Sequence, residues 1–186
     1  MDAYKLKISK LEAARRQLDT AIRLYFSDAD LVSIHTLAAA AFDILKDLDE
    51  HGPKTGTFYD HLETNVKTEY LQQAKSLFRA PQNFFKHADT DPEKVLEFLA
   101  ALPEGFLISG CEKYRELAAE ETPEMLVYRL WFSHHNPEFL TVEAFTRMQA
   151  ANFSIQYSST QRREFFNEYL GLAALALANI LPSSKP

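Results

Sequence analysis

The opening stretch of the chain, to about residue 50, limits the fold more than any other. Ile8, Leu11, Leu18, Ile22 and Tyr25 recur at three- and four-residue steps or their multiples, with Lys7, Lys10, Arg15, Arg16 and Asp19 populating the other side. At 3.6 residues per turn this spacing lines the apolar side chains along one face, so it predicts a helix over 5–26. Ser27-Asp28-Ala29-Asp30 breaks the pattern and offers capping oxygens. A second stripe then runs through Leu31, Ile34, Leu37, Ala38, Ala41, Leu45 and Leu48, predicting a helix over 30–49. The small side chains at 38–41 let another helix come close. Two long amphipathic helices on so short a loop bury their stripes by packing antiparallel.

The remainder reads as further helices. Thr57 caps a stretch over 58–66, and 69–78 faces inward with Tyr70, Leu71, Ala74 and Phe78. Asp91-Pro92-Glu93 combines a cap, a proline suited to the first helical position and an acid at the positive helix end. It predicts a helix to 102 with Val95, Leu96, Phe98 and Leu99 inward. A helix over 106–119 follows, mildly interrupted by Gly110, and Glu120–Glu124 repeats the cap-proline-acid formula. The next helix, with Met125, Leu126, Tyr128, Leu130, Trp131 and Phe132, is apolar nearly all round and has to be buried. A short helix over 141–151 and a last one over 161–180, capped by Thr160, complete the chain. The end of that last helix, Leu170–Leu181, is apolar enough to dock into the bundle or a partner subunit. Only 5 glycines in 186 residues argue against a protein built on tight β turns. The expectation is a single all-α domain over 1–186. A composition shift near Glu120–Pro123 separates a part over about 5–120 from a helical elaboration over about 121–182.

Charge and rare residues narrow the chemistry. A net charge of −6 removes the bulk attraction behind non-specific nucleic-acid binding, so RNA would need a local basic patch such as Arg15-Arg16. The commoner reading of that pair is a solvated face with local ion pairs. One cysteine, Cys111, excludes an internal disulfide and reads as a small buried hydrophobe in a reducing compartment. No apolar run is long enough to span a bilayer and no signal-peptide core is evident, so a cytoplasmic protein without membrane contact is expected. His61 beside Asp60 and Glu63 hints at a metal, but no Glu-x-x-His or His-x-x-x-His pair occurs, so neither metal nor cofactor is expected. Adjacent His134 and His135 read as a helix C-terminal turn, and His35 as a core or interface histidine. Gly52 to Thr57 lacks the lysine of a phosphate loop.

The densest chemistry lies in 79–91. If Pro81 starts a helix, Asn83, Lys86 and His87 stand at i, i+3 and i+4 on one face, with Asp89 able to pair with Lys86. An amide, an ammonium and an imidazole so placed can hold a phosphate or position a proton. The same residues also read as a solvated Asn and Lys beside a half-buried histidine.

The string Gln82-Asn83-Phe84-Phe85-Lys86-His87 resembles the signature of HEPN-type domains, small all-helical proteins widespread in bacteria. Residues 31–41 also resemble uncharacterised bacterial HEPN-like proteins, and the likeness covers roughly 5–120. It implies an antiparallel long-helix core. In ribonuclease members it implies an Arg, often a following polar residue, and a His four to six residues on, two copies meeting across a dimer to cleave RNA without metal. Here His87 matches the His and Asn83 the polar residue, while Gln82 falls where the Arg would be. Arg79, with seven residues between it and His87, lies outside the spacing. Cleavage builds negative charge on phosphorus oxygens, and losing one preorganised donor of this kind typically costs ~3–4 kcal/mol, a factor of ~10²–10³. Three readings stay open. One is a weak or silent HEPN-like module that dimerises and binds a nucleotide, RNA or a partner. Another is a metal-independent ribonuclease using His87, with Asn83, Lys86, Gln82 and Arg79 as contacts. The third is a purely structural helical protein. An enzyme is the less favoured outcome, and a homo-oligomer is expected.

Overall fold

The computed structural model describes residues 5–50, 76, 79–87, 89, 91–137 and 156–180, and these form an all-α bundle with no strand among them. The first helix, α1, is Lys10–Phe26, and it begins later than its sequence pattern suggested. Ser9 is extended and its hydroxyl accepts the Glu12 N–H at 3.1 Å, a capping bond that fixes the start. Ile8 therefore falls outside the helix and is 45% exposed. Ser27 closes α1 by donating its N–H to Arg23 O at 3.0 Å, and Asp28 takes the left-handed conformation (φ 57°) that Asp tolerates. Asp30 Oδ2 then accepts the Ser33 N–H at 2.8 Å, starting α2, Leu31–Glu50.

Helix α3, Leu102–Ala118, packs on α2 nearly as extensively as α1 does, so α2 is the central element of the first layer. Gly110 does not interrupt it. A Cβ there would stand 2.7 Å from Leu18 Cδ2, so the absent side chain leaves room for the Leu18 side chain of α1 against α3. Ala119, left-handed at φ 53°, ends α3. Helix α4, Pro123–His135, follows the expected formula: Thr122 Oγ1 accepts the Met125 N–H at 3.2 Å, with Pro123 in the first turn. The same hydroxyl donates to buried Asp19 Oδ1 at 2.6 Å, so one side chain both caps α4 and ties it to α1. Arg23 reinforces the join through Glu124 Oε1 at 2.5 Å. Helix α5, Arg162–Ile180, packs chiefly on α4.

The core follows the two stripes: Leu18, Ile22, Phe26, Ile34, Phe42 and Leu45 are buried, joined by Leu107, Met125, Tyr128 and Phe165. The expectation that α4 is buried holds, with Met125, Val127, Tyr128 and Trp131 inside. An aromatic cluster joins α1, α4 and α5. Phe26 stacks on Phe166 at 4.6 Å, Tyr25 meets Tyr128 edge-on at 5.3 Å, and Trp131 Nε1 donates to Tyr25 OH at 3.2 Å. Arg162 lies 4.4 Å over the Tyr25 ring and reaches Asp28 at 2.6 Å, clamping the α1–α2 turn to α5. Between α2 and α3, Lys113 and Asp49 form a buried ion pair at 3.2 Å.

Two expectations need correcting. Residues 94–99 are not helical, although a helix over 92–102 was expected. In that helix Val95 and Leu99 would share the inner stripe; instead they are 88% and 59% exposed, while Leu96 and Phe98 are the half-buried pair. Burial two residues apart is the period of an extended chain, which covers about twice the distance per residue of a helix. The end of α5 docks only in part: Ala173 is buried, but Leu172 and Leu175 are 55% and 64% exposed. The helices expected over 58–66 and 141–151, most of 69–78, and His61 lie outside the described residues.

Candidate functional site

The segment 79–84 is helical, so Pro81 sits within the turn rather than starting it, and the helix ends before the two charged residues of the motif. Phe85 N–H donates to Pro81 O at 2.9 Å, and Lys86 and His87 both donate their N–H to Asn83 O, at 3.2 and 3.1 Å. One carbonyl taking two donors is a helix winding down. Asn83, Lys86 and His87 keep i, i+3, i+4 order, but they stand on a C-terminal turn. The backbone there is the negative end of the helix dipole, which favours cations and offers no free N–H to an anion.

The five residues singled out by sequence divide into two sets. Arg79, Asn83, Lys86 and His87 are exposed, whereas Gln82 is 7% exposed and turned inward. Its Nε2 donates to Asp43 Oδ2 of α2 at 2.5 Å. The side chain occupying the place of the missing guanidinium is thus spent on a bond to the bundle. Lys86 makes no ion pair with Asp89, contrary to expectation, and no hydrogen bond joins the side chains of Asn83, Lys86 and His87. His87 is exposed rather than half-buried. Arg15 and Arg16 do not extend the site either: both lie on α1 and hold Glu12, at 2.8 and 2.7 Å, which brings its carboxyl down to about 2.

Beneath this turn lies a closed apolar box around one side chain of α2. His35 of α2 is fully buried, and neither ring nitrogen has a hydrogen-bond partner. Phe98, Phe106 and Phe85 surround it edge-on at 5.1, 5.1 and 5.8 Å. Burial in this apolar box, with the nearby Lys86 ammonium adding to it, lowers the imidazole to about 4, so the ring is neutral at pH 7. His35 is therefore the core histidine that its place on α2 suggested. Asp43 also escaped notice, although a lone acid in the run Ala38–Leu45 was a visible signal.

Among the described residues no group of three His, Cys, Asp or Glu side chains is placed to hold a metal ion, and no helix is long and apolar enough to cross a membrane. Cys111 is buried, and burial pushes its thiol well up, away from reactivity. His134 and His135 occupy the C-terminal turn of α4 as expected. His135 lies 4.0 Å from Trp131, and its pKa is lowered by burial first and by His134 second.

Comparison with protein-family models, with curated proteins and with solved structures finds no match.

Proposed function

We propose that this chain is a catalytically silent, HEPN-like helical module that works by binding a protein partner, as a dimer. The observation that carries the reading is the bond from Gln82 to Asp43. It leaves His87 with no preorganised cationic donor at the spacing a phosphate would need. The position of Lys86 and His87 at a helix C-terminus and the net charge of −6 both weigh against RNA as the ligand. Dimerisation draws support from Leu172 and Leu175, exposed on the last three turns of α5.

RNA cleavage in metal-free buffer tests it. Wild type and His87→Ala are expected to give the same background rate. Gln82→Arg is expected to set its guanidinium against the Asp43 carboxylate and to leave that rate unchanged. Cleavage by wild type that disappears in His87→Ala, or a gain of about tenfold or more in Gln82→Arg, contradicts the proposal and restores the ribonuclease reading.

A further inference from the structure

The stretch from Glu93 to Leu99 is unusual for an all-helical chain. No main-chain group of 95–98 makes a hydrogen bond within the described chain; the flanking bonds are Lys94 N–H to Asp91 O and Leu102 N–H to Leu99 O, both 3.0 Å. Burial alternates from Val95 to Leu99, after Glu93 and Lys94, which are both exposed. Leu96 and Phe98 face the bundle, with Phe98 held on His35 and Phe85, while Glu93, Val95, Glu97 and Leu99 face out. Phe98 thus fixes the strap, and its polar backbone is left to solvent. Beside it lies a groove of about 200 Å³, lined by Ser76, Ala80 and Pro81 together with Leu96, Glu97, Leu99 and Leu102. Neither Glu93 nor Glu97 has an ion-pair partner, whereas Lys94 is paired with Asp91 at 2.9 Å.

We infer that this strap is a docking edge for an extended segment of a partner protein that alternates basic and apolar residues. A non-helical chain with alternating burial, no main-chain bonds of its own and Phe98 packed on the bundle is a template for strand addition: main-chain bonds supply affinity and alternate side chains supply specificity. Along the strap the outward sequence Val95, Glu97, Leu99 asks for a basic residue opposite Glu97 and apolar ones opposite Val95 and Leu99, and Glu93, exposed on the turn that leads into it, adds a second acid to the same edge. A second copy of the chain fits poorly. Antiparallel self-pairing sets Glu97 against Glu97 or Glu93, or sets the acids against Val95 and Leu99. The inference rests on the binding-module reading and names the partner's chemistry. RNA cleavage decides that reading, and the peptide titration below decides this one.

The test is fluorescence anisotropy of the full chain with a labelled Val-Thr-Lys-Thr-Val-Thr-Lys peptide. Saturable binding with a Kd of about 100 μM or tighter is expected. Binding is lost when alternate peptide amides are N-methylated, because those N–H donors pair with the strap. It weakens at least about fivefold in Glu93→Lys/Glu97→Lys. It is unchanged in Asp47→Lys/Glu164→Lys, which alters the net charge equally at exposed sites elsewhere. All four positions are on the surface, so the variants fold. No saturable binding at about 1 mM, full binding by the N-methylated peptide, or equal weakening in both double variants would each overturn the proposal.

Discussion

Lys113→Met is expected to cost about 3–5 kcal/mol of stability, because it takes the ammonium from a carboxylate that cannot reach water. Lys113 Nζ lies 3.2 Å from Asp49 Oδ2, and both side chains are less than one-twentieth exposed, at 3% and 4%. Glu116, at 2.9 Å, gives the ammonium a second acid that is 36% exposed and shares its charge. A buried ion pair adds little net stability over well-packed apolar groups, but removing the ammonium takes from the buried Asp49 carboxylate the cation that stands 3.2 Å away in the α2–α3 interface. The double variant Asp49→Leu/Lys113→Met is therefore expected to recover most of the loss. Urea denaturation of both variants checks this. Single substitutions that each cost less than about 1 kcal/mol would mean that solvent reaches the pair.

The second large effect concerns pH. His35 in the folded chain is lowered to about 4, against an ordinary value near 6.5, so the native state binds fewer protons than the unfolded state between those limits. Stability from this residue is full above about pH 6.5 and falls as the solution is acidified towards pH 4, by up to about 3 kcal/mol. Of the groups around the ring, Phe85, Phe98 and Phe106 are apolar and Lys86 carries a like charge, so nothing there welcomes the proton. His35→Leu removes both orphaned nitrogens and the titration together. Its stability advantage over wild type is expected to widen by about 3 kcal/mol between pH 7.5 and pH 4. Other acids titrate in that range, and the difference between the two proteins isolates His35. An advantage that stays constant with pH would contradict the closed aromatic box.

The helical frame was legible because its signals are local. The stripes of α1 and α2 need only a 3.6-residue repeat, and Thr122-Pro123-Glu124 carries the start of α4 within three residues. The strap was not legible, because Val95, Leu96, Phe98 and Leu99 satisfy a helical and an extended pattern alike. What separates them is Phe98 reaching His35 on another element, a tertiary contact that outweighs the cap and proline at Asp91-Pro92. The site follows the same rule. Sequence marked Gln82, Asn83, Lys86 and His87 as a group, but the inward turn of Gln82 depends on Asp43, 39 residues away. Arg79 is exposed on the preceding turn, and the approach of Lys86 to a buried imidazole likewise crosses between elements.

The central claim is that the Gln82 amide is committed to the bundle rather than presented as a vacant phosphate contact. A double-mutant cycle on Gln82→Met and Asp43→Ala reads that bond directly. With the amide on the carboxylate, the two substitutions are expected to couple by about 1.5–3 kcal/mol, the range for a hydrogen bond to a charged group. Additive losses, within about 0.5 kcal/mol, would mean that Gln82 is free of Asp43 and available at the surface beside His87.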